Sequence, residues 1–285
     1  AIHHDYDKMP NGNIIAILWS KHKRPDEVEG GIPNTEYEGG VILSETIAEI
    51  EPSGKIVWKW VAEDHLKAEE YPVCPLDYRK RWLHANSIQF LSSDNPIFTG
   101  KELILVSLRQ PSASIIIDKG SGNILWRYGG YLEGEWARLG HQHSFDMIGA
   151  KIGGKELPGY GNLLVFDNGM HNAAIEDWGL PRSKVVEIDP KTKKVVWAFT
   201  HHEEKFAGWM PPEFKFNSPY IAGAQRLPNG NTLICEGASG RIFEVTKGGE
   251  IVWEFINPER RALFRTYRYG PDFAGFMGKG LPKPD

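Results

Sequence analysis

The chain has 285 residues, a formal net charge of −4 and a pI near 6.2, which give no electrostatic basis for binding nucleic acid or an anionic membrane. Ten Trp, 31 Gly and 19 Pro, with aromatics at 12%, favour many short strands joined by tight turns over a helical bundle. No apolar run approaches the roughly 18–20 residues that a membrane-spanning helix needs.

In chain order, the first residues are Ala1 and then His3-His4-Asp5-Tyr6, with no Met, basic stretch or apolar leader. Met9-Pro10-Asn11-Gly12-Asn13 leads into a strand at Ile14-Ile15-Ala16-Ile17. Thr46 to Ile50 form another strand, and Pro52-Ser53-Gly54-Lys55 turns into Ile56-Val57-Trp58-Lys59-Trp60. The same unit returns three times. Glu102 to Val106 and Ser114 to Asp118 precede Ser121-Gly122-Asn123 and a strand ending at Trp126. Gly161 to Phe166 and Val185 to Asp189 precede a strand through Trp197 to Phe199. Last, Leu227-Pro228-Asn229-Gly230-Asn231 opens Thr232 to Glu236, Arg241 to Val245 and Ile251 to Phe255, with Trp253 inside.

Each unit has a further strand-like segment before its first turn, making four strands. Radial repetition of four-stranded sheets is the β-propeller architecture, an all-β fold. The blades are expected at roughly 1–60, 82–128, 141–199 and 220–256, in a single domain with an irregular tail at 257–285. Four units are the lower limit for a propeller. Further blades are therefore expected N-terminal to this chain or on a partner chain, and a homo-oligomer is an alternative. The recurring Trp also has a purely structural reading, as a residue that packs blade on blade.

The innermost strand of a blade lines the central channel. Those segments read His3-His4-Asp5-Tyr6, Trp82 to Ser87, Gly140-His141-Gln142-His143-Ser144 and Ala222 to Arg226. Rotational repetition brings His4, His84, His141 and His143 towards one axis. Strand alternation puts His84 with Asn86 on one side, and His141 with His143 likewise. Single channel histidines are often structural, but four at matched positions favour a site. His22, His65, His201 and His202 fall in loop-like stretches and read as solvated surface. His171 follows a strand end and either borders the site or does not. Arg109, after the second strand of its blade, either forks onto an oxyanion or caps a loop. Cys74 and Cys235 make neither a metal-type pair nor a disulfide framework.

These segments resemble the bacterial arylsulfate sulfotransferases and the wider arylsulfotransferase-like propellers. The matching pieces are His3-His4-Asp5-Tyr6 with Pro10-Asn11-Gly12-Asn13, His84-Ala85-Asn86-Ser87, Ser107-Leu108-Arg109 and Gln142-His143. They continue with Val165 to Gly169, Ala224 to Asn231 and Tyr267-Arg268-Tyr269. The resemblance implies a six-bladed propeller, a periplasmic or secreted location, and transfer of a sulfuryl group from an aryl sulfate to a phenol. It places the transiently sulfated nucleophile on His143, the sulfuryl contacts on His84, Asn86 and Arg109, and a further histidine on His4 or His3. Tyr6, His141, His171 and Gln225 are the expected substrate-binding residues. Two features depart from the family pattern: its N-terminal blades, with their tyrosines, are absent, and its Ser-Arg reads Ser183-Lys184.

The implied chemistry is double displacement, with covalent catalysis by a histidine and hydrogen bonds to the sulfuryl oxygens. His4 or His84 is the expected proton donor to the leaving oxygen. No nucleotide or other cofactor is expected, and there is no phosphate-cradling Gly-rich loop. Three alternatives stay open. His4, His84, His141 and His143 are also a candidate set of ligands for copper, zinc or iron. A non-catalytic binding or assembly subunit is the second, and a lyase or hydrolase using the same histidines on another anionic substrate is the third.

Overall fold

The computed structural model describes residues 1–33, 41–130, 139–149, 156–171, 183–200, 216–259 and 261–270. The first sheet contains β1 (Ile2–Lys8) and β2 (Ile14–Lys21). A short β3 (Gly30–Ile32) then leaves the sheet, and β4 (Leu43–Ile50) and β5 (Ile56–Val61) complete it. After a one-turn helix α1 (Ala62–His65), β6 (Val73–Tyr78) pairs in parallel with β3. The second sheet is β7 (Ala85–Leu91), β8 (Leu103–Leu108), β9 (Ala113–Asp118) and β10 (Ile124–Gly129). The third is β11 (Ser144–Met147), β12 (Leu163–Asp167), β13 (Lys184–Asp189) and β14 (Lys194–Phe199). The fourth is β15 (Gly223–Arg226), β16 (Thr232–Glu236), β17 (Arg241–Val245) and β18 (Ile251–Ile256). Each is an antiparallel meander in chain order, so these are four blades of a β-propeller.

The blades stack face on face through three apolar layers. Ile15, Ile17 and Ile47 meet Ile88, Ile104 and Ile115 between the first two. Leu103, Leu105 and Ile116 meet Phe145, Leu163 and Val165 between the second and third. Phe166, Val185 and Phe199 meet Ala224, Ile234 and Phe243 between the third and fourth. Packing on both faces explains why every residue of β8 and β9 is buried, with runs such as Leu103-Ile104-Leu105-Val106 in place of alternation.

The repeated Asn-Gly-Asn turn has a structural job. Asn11 and Asn13 donate side-chain N–H groups to Glu49 Oε1 at 2.9 and 2.6 Å. Asn229 and Asn231 do the same to Glu244 at 2.9 and 2.7 Å, and Asn162 to Glu187 at 2.6 Å. Each glutamate then meets a cation from the next element round: Lys119 at 3.0 Å on Glu49, Arg226 at 2.6 Å on Glu187, and Arg268 on Glu244. The second blade has Ile116 at this position, opposite Trp126.

The tryptophans tie neighbouring blades. Trp126 Nε1 donates to Pro190 O at 2.8 Å and Trp197 Nε1 to Lys247 O at 2.8 Å, both in the outer hairpin of the next blade. In the first blade this tie is made by Trp60, to Gly122 O at 2.9 Å, two residues beyond the Trp58 that the repeat singles out. His22 corrects a surface expectation: it is buried, 3.4 Å from Glu63 and edge-on to Trp82. His65 is exposed and stacked on Trp60. His201 and His202 lie outside the described residues.

Candidate functional site

Inner strands β1, β7, β11 and β15 surround a cavity of 1030 Å³ lined by Asp5 to Lys8, Ile88, Gln89, Asp146 and Gln225 among others. The histidines occur at the starting ends of these strands. His4, His84 and His141 have left-handed backbones, with φ of 56°, 51° and 57°, and Ile221 holds the matching place in the fourth blade at 42°. This conformation is uncommon outside glycine, costs roughly 1–2 kcal/mol and is enriched for histidine. It survives because neighbours brace the backbone: Glu45 Oε1 accepts the Ala85 N–H at 3.2 Å, and Ser112 Oγ accepts the His141 N–H at 3.2 Å.

That backbone turn breaks the alternation the sequence suggests. His141 and His143 do not face a common site, and the four histidines fall into two clusters. In the first, His4 Nε2 lies 3.1 Å from His84 Nε2, and His4 Nδ1 lies 2.7 Å from His3 Nδ1. The His143 ring centroid is 6.4 Å from that of His4. Trp19 stacks on His3 at 3.6 Å, and Phe264 stands edge-on to His143 at 5.0 Å. In the second cluster, His141 meets His171, with centroids 4.8 Å apart, and Asp77 Oδ2 at 3.3 Å. The proposed ligand set of His4, His84, His141 and His143 is therefore not assembled.

Three guanidinium groups surround the first cluster. Arg81 lies over Trp19 at 5.1 Å. Arg265 donates to Asp5 Oδ2 at 2.7 Å and to Asn86 O at 3.3 Å. Arg109 donates to Asp77 Oδ2 at 3.2 Å and lies between the two clusters. Burial lowers all four imidazoles of this cluster; the cations come next for His4, His84 and His143, whereas for His3 the next cause is His4 and then Arg81. His143 falls to about 3 through burial and Arg265, and His4 to about 4 through burial, Arg81 and Arg109. His84 falls well below its ordinary value through burial and Arg109. At neutral pH the site holds uncharged imidazoles in a positive field, suited to an anion.

His143 Nδ1 lies 3.1 Å from Ala222 O and 3.2 Å from Ala222 N. When Nδ1–H donates to the carbonyl, the lone pair of the neutral ring is on Nε2. Asn86 is fully buried and donates Nδ2–H to Gln142 O at 2.9 Å. Gln225 lines the cavity but holds the Arg268 backbone through two hydrogen bonds, at 3.0 and 2.7 Å. Tyr6 is exposed on the cavity wall. Arg81, Arg265, Trp19 and Phe264 were missed from sequence. The signals available were the basic run Arg79-Lys80-Arg81 and the aromatic, basic stretch Phe264 to Tyr269.

A sequence model of a family described as Arylsulfotransferase (ASST) matches residues 2–258. A search of the curated proteins finds no match. Similar solved structures include a protein of unknown function from Bacteroides caccae (18% identity, 74% of this chain and 54% of that one, TM-score 0.39). Others are virginiamycin B lyase from Staphylococcus aureus (12%, 89% and 55%, 0.43) and the Cps50 (Swd1) β-propeller domain from Myceliophteria thermophila (9%, 91% and 58%, 0.43). The chain thus spans somewhat more than half the length of each of these structures. Among the described residues no helix is long and apolar enough to cross a membrane.

Proposed function

The chain belongs to the arylsulfotransferase family, and from that premise we propose that it transfers a sulfuryl group from an aryl sulfate to a phenol through His143. The observation that carries this reading is the cluster of three uncharged imidazoles, His4, His84 and His143, under the positive field of Arg81, Arg109 and Arg265. A protonated histidine cannot attack sulfur, and a sulfate ester needs positive charge around it. The cluster meets both needs.

In the first displacement His143 Nε2 bonds to sulfur as the bond from sulfur to the aryl oxygen breaks, releasing a phenolate. Nδ1–H, donated to Ala222 O, holds the ring in this tautomer and stabilises the charge it gains. The guanidinium groups stabilise the sulfuryl oxygens electrostatically. In the second displacement an acceptor phenol attacks the sulfohistidine and gives its proton to His4 or His84. These two imidazoles are uncharged at rest and so are free to take the proton. They pass it on to solvent, where it balances the phenolate released in the first displacement. A periplasmic or secreted location is part of the same proposal.

The test is release of 4-nitrophenol from 4-nitrophenyl sulfate by the protein as isolated, with and without added phenol, repeated after chelation. The expected result is release that phenol stimulates and that His143→Ala abolishes while circular dichroism is unchanged. No release by folded protein sinks the reading for simple aryl sulfates and leaves the scaffold alternative standing.

A further inference from the structure

We propose that Cys74, Asp77, His141 and His171 form a zinc-class metal site, separate from the sulfuryl-transfer cluster. One ligand atom from each lies within 4.8 Å of all the others, the only such group among the described residues. Two edges of a ligand tetrahedron already exist. Cys74 Sγ is 3.4 Å from His171 Nδ1, and His141 Nε2 is 3.3 Å from Asp77 Oδ2. Tetrahedral zinc, with bonds of about 2.0–2.3 Å, spaces its ligands roughly 3.3–3.8 Å apart. Closing the remaining edges takes shifts of about an ångström.

A second observation points the same way. The His141 side chain is fully buried, and neither ring nitrogen makes a hydrogen bond; its approach to Asp77 lacks the alignment of one. A buried imidazole with both nitrogens unsatisfied is costly. Coordination satisfies it. A thiolate, a carboxylate and two neutral imidazoles carry the two negative charges that balance a dication, and the thiolate favours a soft ion over magnesium or calcium. Arg109, 3.2 Å from the Asp77 carboxylate, keeps that oxygen between its charge and the ion.

Four protein ligands make a closed, structural site. Cys74 and Asp77 belong to β6, between the first and second blades, whereas His141 and His171 flank β11 and β12 of the third. The ion therefore staples that insertion onto the third blade. It also fixes Asp77, and through it Arg109, beside the transfer cluster.

Cobalt(II) titration of chelator-stripped full-length chain tests this without reference to activity. One equivalent is expected to bind, with tetrahedral d–d bands and a thiolate charge-transfer band. Cys74→Ser should remove the charge-transfer band, and both Cys74→Ser and His171→Ala should cut bound metal to under a tenth. His65→Ala should change nothing. Stoichiometric zinc should also raise the Tm of the wild type, and chelator should reverse it. Folded wild-type protein that takes up no cobalt or zinc overturns the proposal. So does metal that binds without a thiolate band and is lost in His84→Ala. The wild-type titration decides even if a variant fails to fold.

Discussion

At the scale of single residues, the site is a set of weak bases made weaker. Arg265 is the second cause, after burial, of the low basicity of His143. The profile of kcat/KM against pH should therefore be flat between about 5 and 8, with no acid limb near the ordinary histidine value of about 6.5. Arg265→Ala should lower kcat/KM roughly a hundredfold. It should also move the acid limb to higher pH, because a positive neighbour of His143 is gone; an unmoved limb would reduce Arg265 to a packing role. The convergence of His4, His84 and His143 was legible because the inner strand recurs in each blade. Arg265 was not, because it reaches Asp5 across 260 residues by a tail that repeats nothing. The separation of His141 from His143 was hidden as well. Alternation presumes extended backbone, and a φ of 57° at His141 removes that presumption.

At the scale of elements, the repeat Asn-Gly-Asn reads from sequence as a hairpin turn, and it is one. What the sequence does not display is its partner, a glutamate on the blade's third strand that in turn holds a cation of the next element. Glu187 and Arg226 are both almost fully buried. Glu187→Ala leaves Arg226 and Asn162 without their acceptor and should cost about 3 kcal/mol in urea unfolding. Glu254→Ala removes a partly exposed partner of Arg241 and should cost less than about 1 kcal/mol. Equal losses in the two variants would refute this role for the buried glutamate. The recurring Trp was read as a blade-packing residue from its spacing alone. Its indole N–H shows why the choice moves from Trp58 to Trp60 in the first blade: the donor that counts is the one that reaches Gly122 O.

For the whole molecule, the depressed histidines set the response to acid. A histidine with a folded pKa near 3 or 4 takes no proton at pH 6, whereas the unfolded chain does. Their contribution to stability is complete above about pH 6.5 and is lost as pH falls from there towards the folded values. Glu45, raised to about 8 by burial, and Asp146, raised to about 6, work the other way. They destabilise as pH rises above the ordinary carboxylate range. His3, His4, His84, His141 and His143 outnumber these two, so Tm should fall between pH 6.5 and 4.5. Each unmatched histidine sets a slope of about 1.4 kcal/mol per pH unit. A Tm constant over that range would contradict the buried, uncharged cluster. The propeller itself was readable from four copies of one unit, since each repeat advertises the same strand pattern.

The segment from Arg261 to Gly270 follows the fourth blade and then reaches back. Leu263 packs on that blade, Arg268 meets Glu244, and Arg265 joins Asp5 of the first strand. Loops this long close slowly, since chain entropy opposes contacts between distant residues. The ribosome therefore delivers Arg265 only after all four blades have been made. Until then a nascent chain can stack its blades and still hold His143 without Arg265 beside it. The positive field at His143 is thus completed by a segment beyond all four blades, so stacking the blades and assembling the pocket are separate events.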